Sequence, residues 1–274
     1  MYVDVDGIRT HYLEAGDGST VVLLHSGEFG GCAELSWEHN IGALSEHFHV
    51  VAPDWLGFGR TDKLHDFVDG RARMVRHLQR FLEVIEITEA DFIGNSMSGG
   101  IIARAASASP PQFPFRRMIL ASGGGFSPDN EYRRALLDYD CTIEGMRRIV
   151  GAMFFDPKWP ADDEYVRRRH ESSLLPGAWE CTAAARFRRP TEPARTHFGQ
   201  PDTVAYEKIP FPTLVIAGGN DKLRLPGYAD EVAQRIPDAR LIVFDRCGHC
   251  PNIEQAEHFN ETVIEFLAPA GVRR

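Results

Sequence analysis

A serine on a glycine-rich bend is the strongest chemical signal in this sequence. The stretch DFIGNSMSGG, residues 91–100, starts as an apolar run and continues as Gly-Asn-Ser-Met-Ser-Gly-Gly. Glycines permit a strained turn from strand to helix, which presents one side chain at the ligand-binding edge of a parallel sheet. We therefore predict that Ser96 is a nucleophile. The N–H of Met97, at the start of the following helix, is predicted to stabilise developing negative charge.

A serine hydroxyl reacts readily only when a base takes its proton and an acid orients that base. Asp221 lies directly after the apolar run TLVI, and His249 lies directly after LIVF. Both residues would then emerge at the same sheet edge as Ser96, in the chain order Ser, Asp, His that this architecture uses. The sequence predicts a catalytic triad of these three residues.

A second glycine-rich loop, HSGEFGG at residues 25–31, follows another apolar run. Its position at the end of a buried strand is typical of a loop that supplies a second oxyanion donor, and we assign that role to the N–H of Gly27. His25 is interpreted as a brace for this backbone, and not as a second base. All histidines other than His25 and His249 are expected to have surface or packing roles.

Apolar strands alternate with amphipathic helices over most of the chain, and YVDV and RTHYLEAG flank Asp6-Gly7 as a predicted hairpin. This alternation predicts an α/β fold with a mostly parallel sheet covered by helices on both faces. Residues 126–205 show helical pieces and no clear strand. We therefore predict a core domain of residues 1–125 and 206–274, and a helical lid insertion at 126–205. The lid is expected to be mobile and to make few contacts with the core.

Composition limits the class of protein. The chain has 274 residues, 43% of them hydrophobic, and a formal net charge of −9 without long blocks of like charge. These values predict a soluble, cytoplasmic protein with no nucleic-acid partner and no membrane segment. Five cysteines suggest reduced thiols. Cys247 and Cys250 in CGHC could form a thiol pair or half a metal site, but packing is the favoured interpretation, and we expect no metal and no cofactor.

Five stretches together resemble a known family: HSGEFGG, APDWLGFGRTD, IGNSMSGG, GGNDKLRLP and DRCGHCPNIEQAEHFN. They resemble the α/β-hydrolase fold and, within it, the meta-cleavage product hydrolases. This resemblance implies an eight-stranded sheet with a helical lid. It also implies a small-molecule substrate, a vinylogous diketo acid produced by ring cleavage, whose carbon–carbon bond is hydrolysed.

The same resemblance implies substrate-binding positions. MFFDPKWPADDEYVRRRHESS is similar to the lid segment of the family, in which an arginine binds the substrate carboxylate and a phenylalanine lines the pocket. These roles fall on Arg169 and Phe154, and the loop motifs add Asn95, Ser26 and Cys250. The alternative for Arg169 is a solvated helical face, because it ends a run of three arginines.

Four departures from the family pattern keep other functions open. Ser26 stands where a glycine is usual, Glu28-Phe29 where Gly-Pro is common, Ser98 at the last glycine of the bend, and Cys250 where a tryptophan is usual. A carboxylesterase or lactonase acting on a small ester is therefore the alternative. A receptor that retains the triad is less favoured, and a serine at the nucleophile position disfavours haloalkane dehalogenases and epoxide hydrolases. The sequence is also compatible with a homo-oligomer.

Overall fold

A single eight-stranded sheet forms the centre of the protein. The structure, a computed structural model, describes residues 1–185, 187 and 198–268. The strands follow one another in the spatial order β1-β2-β4-β3-β5-β6-β7-β8. Their bounds are β1 Tyr2–Val5, β2 Ile8–Ala15, β3 Thr20–Leu24, β4 His49–Pro53, β5 Ala90–Asn95, β6 Phe115–Ala121, β7 Thr213–Gly218 and β8 Ala239–Phe244. The predicted fold class is confirmed.

Strand direction follows the predicted pattern. β1 pairs with β2, and β2 with β4, in antiparallel fashion, whereas all pairs among β3 to β8 are parallel. Asp6 and Gly7 both have positive φ, 54° and 84°, as a tight hairpin turn between β1 and β2 requires. β5 is buried along its whole length, because helices cover both faces of a parallel sheet. The carboxyl ends of β3 and β5 to β8 thus meet at one edge.

Helices cover the sheet on both faces and also follow β6 as a group. The α-helices are α1 Ala33–Trp37, α2 Ile41–Ser45, α3 Gly70–Val84, α4 Met97–Ala106, α5 Glu131–Ala135, α6 Ile143–Met153, α7 Lys158–Ala161, α8 Asp163–Ser173, α9 Ala178–Ala184, α10 Tyr228–Arg235, α11 Pro251–Glu254 and α12 Ala256–Leu267. In α3, Val75, Leu78, Phe81 and Leu82 are buried at helical spacing. No helix of the described residues is both long and apolar enough to span a bilayer.

The helices α5 to α9 lie between β6 and β7, where the insertion was predicted. Their apolar side chains form a cluster of their own, but residues outside the insertion belong to it as well: Phe29, Leu223, Cys250 and Ile253. Contacts with the core therefore exist but are few among the described elements, as expected, because the inserted helices pack mainly against one another. Short, amphipathic helices cannot bury their apolar faces alone, so they also use loops of the sheet edge. The domain bounds stay a prediction.

Backbone hydrogen bonds add to this attachment. The N–H of His249 donates to the carbonyl of Met153 at the end of α6, at 2.7 Å. The Glu254 carboxylate accepts from the N–H groups of Phe155, Asp156 and Gly248, at 2.9, 3.1 and 2.7 Å. The loop that carries His249 is thus bonded directly to the insertion.

Candidate active site

Ser96 sits on a strained bend between β5 and α4. Its φ is 55° and its ψ is −112°, a region that residues other than glycine rarely occupy. The neighbouring glycines explain how the bend fits. A Cβ at Gly94 would lie 2.6 Å from the carbonyl carbon of Ser98, and one at Gly99 would lie 2.7 Å from the Cα of Gly123. Only glycine permits these approaches, so the Gly-x-Ser-x-Ser-Gly pattern follows from the geometry of the turn.

The three residues predicted to form a triad meet at this bend. His249 Nε2 lies 2.6 Å from Ser96 Oγ, and His249 Nδ1 lies 2.6 Å from Asp221 Oδ2. Asp221 also accepts a hydrogen bond from the N–H of Leu223 at 2.8 Å. These distances suit proton transfer from the serine to the histidine and fix the tautomer with the proton on Nδ1. The arrangement is that of an activated serine nucleophile.

Burial and neighbouring charges set the protonation states of the triad. Burial lowers the pKa of His249, and the guanidiniums of Arg133 and Arg224 lower it further, against the raising effect of Asp221. The pKa of the Asp221 carboxyl is also lowered: burial opposes ionisation, but His249 and then Arg224 overcome it. At neutral pH the histidine is therefore a neutral base beside an ionised acid.

We expect the acid limb of the kcat/KM profile to lie below pH 6.5, the ordinary histidine value. Activity requires neutral His249, so it is present above the folded-state pKa and is lost as pH falls through that pKa. The measurement is kcat/KM for a neutral aryl ester from pH 4 to 9. An acid limb centred near pH 7 or above would contradict the assignment.

Gly27 and Met97 face each other beside the nucleophile. Both residues line the main cleft, and a Cβ at Gly27 would overlap the Met97 side chain. Neither N–H has an acceptor among the described residues, as expected for the first residue of a helix and for a loop glycine that faces a ligand. Two such donors can hold an oxyanion formed by attack of Ser96.

His25 and Ser98 brace this oxyanion loop. The His25 ring bonds to the Ser26 carbonyl through Nδ1 at 2.7 Å, and its Nε2 accepts the N–H of Trp55 at 3.1 Å. The Ser98 hydroxyl donates to the His25 carbonyl and accepts from Trp55 Nε1 at 2.8 Å. The structural interpretation of His25 is confirmed. Ser98, at a position usually held by glycine, ties the loop to α4.

Arg169 is buried and does not line the cleft. It is 0% exposed, Nη1 donates to Glu28 Oε1 at 2.6 Å, and Nε donates to the Tyr165 hydroxyl at 2.9 Å. The solvated-face interpretation is therefore wrong for this arginine, although it describes Arg167, which is exposed and paired with acidic residues of its own helix. Glu28 stands between Arg169 and the cleft, which it lines.

The other four predicted substrate-binding side chains also lie behind the cleft wall. Phe154 packs against two aromatic rings of the insertion. Asn95 Nδ2 donates to the Ala121 carbonyl at 3.1 Å and to the His249 carbonyl at 3.3 Å. Ser26 and Cys250 are buried, and burial raises the pKa of the Cys250 thiol. In this geometry these residues support the site, so direct substrate contact stays a prediction that their positions do not favour.

The cleft itself has a volume of about 660 Å³ and contains Ser96 and His249 in its wall. Apolar side chains make up part of the remaining wall, among them Leu56, Phe58, Leu136 and Met153. Sequence reasoning missed the guanidiniums of Arg133 and Arg224, which also line it. For Arg224 a signal existed, since it lies three residues after Asp221; nothing in the local pattern separates Arg133 from Arg134. No cluster of potential metal ligands occurs within the part of the chain that the structure describes.

Comparison with known proteins places this geometry in a family. The model of the alpha/beta hydrolase family matches residues 21–262. A 2-hydroxymuconate semialdehyde hydrolase from Pseudomonas sp. strain CF600 is 33% identical over 265 residues, which cover 96% of this chain and 92% of that protein. A 2-hydroxy-6-oxo-6-(2'-aminophenyl)hexa-2,4-dienoic acid hydrolase from Metapseudomonas resinovorans is 31% identical, covering 97% of this chain and 90% of that one.

A solved structure agrees with these sequence matches. The meta-cleavage product hydrolase CumD from Pseudomonas fluorescens IP01 superposes with a TM-score of 0.85 at 30% identity, covering 97% of this chain and 96% of the other. The match extends over the sheet and over the inserted helices, since almost the whole of both chains is aligned. With its Ser-His-Asp geometry, the chain belongs to the alpha/beta hydrolase family and, within it, resembles the meta-cleavage product hydrolases.

Proposed function

We propose that this protein is a serine hydrolase that cleaves a carbon–carbon bond in a vinylogous diketo acid through an acyl-enzyme. The observation that carries the proposal is the contact of Ser96 Oγ with His249 Nε2 at 2.6 Å, in a cleft that also presents the Gly27 and Met97 N–H groups. Relatives above 30% identity that act on ring-fission products support the choice of substrate class.

The residues divide the reaction into proton transfers and charge stabilisation. After the dienol substrate becomes its keto tautomer, Ser96 attacks the carbonyl carbon and His249 takes the hydroxyl proton. The Gly27 and Met97 N–H groups hold the resulting oxyanion. When the carbon–carbon bond breaks, the electron pair goes to the leaving carbon skeleton, which receives the proton and departs as a dienol. The acyl group stays on Ser96.

Water then hydrolyses the acyl-enzyme. His249 removes a proton from the water, the hydroxide adds to the acyl carbonyl at the same oxyanion donors, and Ser96 leaves with the proton from His249. Asp221 keeps the histidine ring oriented through both halves of the cycle. The second half is identical for an ester substrate, so the first half distinguishes the two reaction classes.

The test is a comparison of two substrate panels, yellow ring-fission products and aryl esters. We expect kcat/KM to be at least 100-fold higher for the best diketo acid, about 2.7 kcal/mol in transition-state stabilisation. Loss of the yellow absorbance and identification of the acid product check the reaction. A 100-fold preference for esters, with no decay of any ring-fission product, would instead establish the esterase or lactonase alternative.

A further inference from the structure

Two buried arginines line the cleft beside the acid of the triad. Arg133 comes from α5 and Arg224 from the loop that follows β7, and each is only 8% exposed. Both belong to the wall of the cleft that contains Ser96 and His249. Burial lowers the pKa of Arg133 to about 9, and the positive charge of the neighbouring Arg224 contributes to this shift. At neutral pH the Arg133 guanidinium is nevertheless cationic.

Their hydrogen bonds leave donors unused. Arg133 Nε donates to the Leu223 carbonyl at 2.9 Å, but its Nη2 is buried without a partner. Arg224 donates through Nη2 to the Ser122 carbonyl at 2.8 Å and through Nη1 to oxygens of residues 126 and 127 at 3.4 and 3.3 Å, but its Nε is likewise buried and unpartnered. A buried donor without an acceptor is costly, so the protein satisfies both guanidiniums incompletely, and an anion in the cleft that they line would offset part of this cost.

No carboxylate of the described residues forms an ion pair with either guanidinium. Asp221 favours the charged form of Arg133 electrostatically, but its oxygens are bonded to His249 and to the Leu223 N–H. Two buried cations that share no carboxylate of their own are unfavourable unless an anion joins them. An anionic group of a ligand would supply the missing partner at this wall.

Arg169 differs from these two arginines in its charge partner, although its Nη2 is also buried without a hydrogen-bond partner. Its guanidinium already has an internal carboxylate, Glu28, and both side chains are almost fully buried. Arg169 keeps the pKa of Glu28 below its usual value in spite of burial. Because Glu28 lines the cleft and Arg169 does not, an approaching substrate carboxylate would meet a like charge there and no free cation.

We propose that Arg133 and Arg224 form the anion subsite of the cleft and bind the carboxylate of the substrate, while Glu28 neutralises Arg169. The proposal rests on the proposed function for the identity of the substrate, a diketo acid, and assigns its orientation: the carboxylate lies on the Asp221 side of the triad. Guanidinium N–H groups match a carboxylate in geometry as well as in charge.

A second role for the same charges is to tune the base. Both guanidiniums lower the pKa of His249, so Arg133→Gln is expected to move the acid limb of the pH profile upwards even for a neutral ester. A change in the pKa of His249 would affect an anionic ligand and a neutral ligand of the same shape alike. Comparing the binding of two such ligands therefore separates the anion subsite from this effect on the base.

The experiment measures binding by calorimetry at neutral pH, with hexa-2,4-dienoate and its primary amide as probes. We expect wild-type protein to bind the dienoate at least tenfold more tightly than the amide. Arg133→Gln should remove that preference, and Arg133→Lys should retain part of it, since the charge remains. Arg134→Gln is the matched control: this adjacent arginine of α5 is exposed and paired with Asp129, so the wild-type preference should persist.

Several outcomes would overturn the subsite. These are no binding of the dienoate, equal binding of both probes by wild-type protein, or an unchanged preference in folded Arg133→Gln. If Arg169→Gln loses the preference and Arg133→Gln keeps it, the carboxylate binds at Arg169 instead. If Arg133→Gln does not fold, Arg224→Gln gives the same comparison. A preference that depends on Arg133 in a protein that leaves every ring-fission product intact would uphold the subsite and reject the proposed reaction.

Discussion

Replacing Ser96 by alanine is expected to lower kcat by about 10⁴- to 10⁶-fold, about 5–8 kcal/mol, because nucleophile and base act as one unit. The hydroxyl that His249 contacts at 2.6 Å disappears, whereas the bend is held by glycines and by hydrogen bonds of neighbouring residues. The melting temperature should stay close to that of wild type. Stopped assays on the best substrate of either panel measure the loss, and single-turnover experiments should show no acyl-enzyme.

Ser107→Ala is the matched control for this loss. Ser107 caps the other end of α4, and its hydroxyl donates to the Arg104 carbonyl, so kcat should be unchanged. His249→Ala should cost about as much as Ser96→Ala, and the double variant little more, because removing either member disables both. Substantial turnover by a folded Ser96→Ala protein would mean that another group is the nucleophile.

The second large effect is expected for Asp221→Asn, which should lower kcat by about 10³- to 10⁴-fold with KM nearly unchanged. An amide at this position can donate a proton to His249 Nδ1, which favours the tautomer with its proton on Nε2, facing Ser96. The base would then present a hydrogen where it must accept one. The acid limb of the residual activity should shift to lower pH, since the carboxylate that raises the pKa of His249 is lost.

Asp245→Asn removes the same charge on the loop after β8, where the side chain is exposed. Wild-type kcat and an unchanged pH profile are expected for that variant. If Asp221→Asn retained more than a tenth of wild-type kcat, a different acid would have to orient the histidine. The triad assignment would then fail at its third member.

The sheet and the triad could be predicted because each depends on signals that are local in sequence. Runs of Val, Ile and Leu marked the buried strands, and Asp6-Gly7 marked the hairpin turn by its need for positive φ. Ser96 was recognisable because Gly94 and Gly99 are required by the turn itself. In each case the residue type indicates either a particular backbone conformation or burial in the sheet.

The cleft wall was harder to predict, because it depends on pairs that are distant in sequence. Glu28 and Arg169 are 141 positions apart, and only the packing of α8 against the oxyanion loop reveals that one neutralises the other. Likewise, Arg133 and Arg134 are neighbours of identical type, yet the first is buried and the second faces solvent. The five-residue helix α5 is too short for hydrophobic periodicity to separate its faces.

The bond from the His249 N–H to the Met153 carbonyl has a consequence for how this scaffold can be recombined. A chimera that carries the inserted helices of a relative must also reproduce an acceptor at that point and two N–H groups for Glu254. Otherwise the exchange displaces the backbone of the base itself. A chimera that receives the inserted helices alone should therefore have a lower kcat, whatever its selectivity. A chimera that also receives the loop with the catalytic histidine should keep its activity.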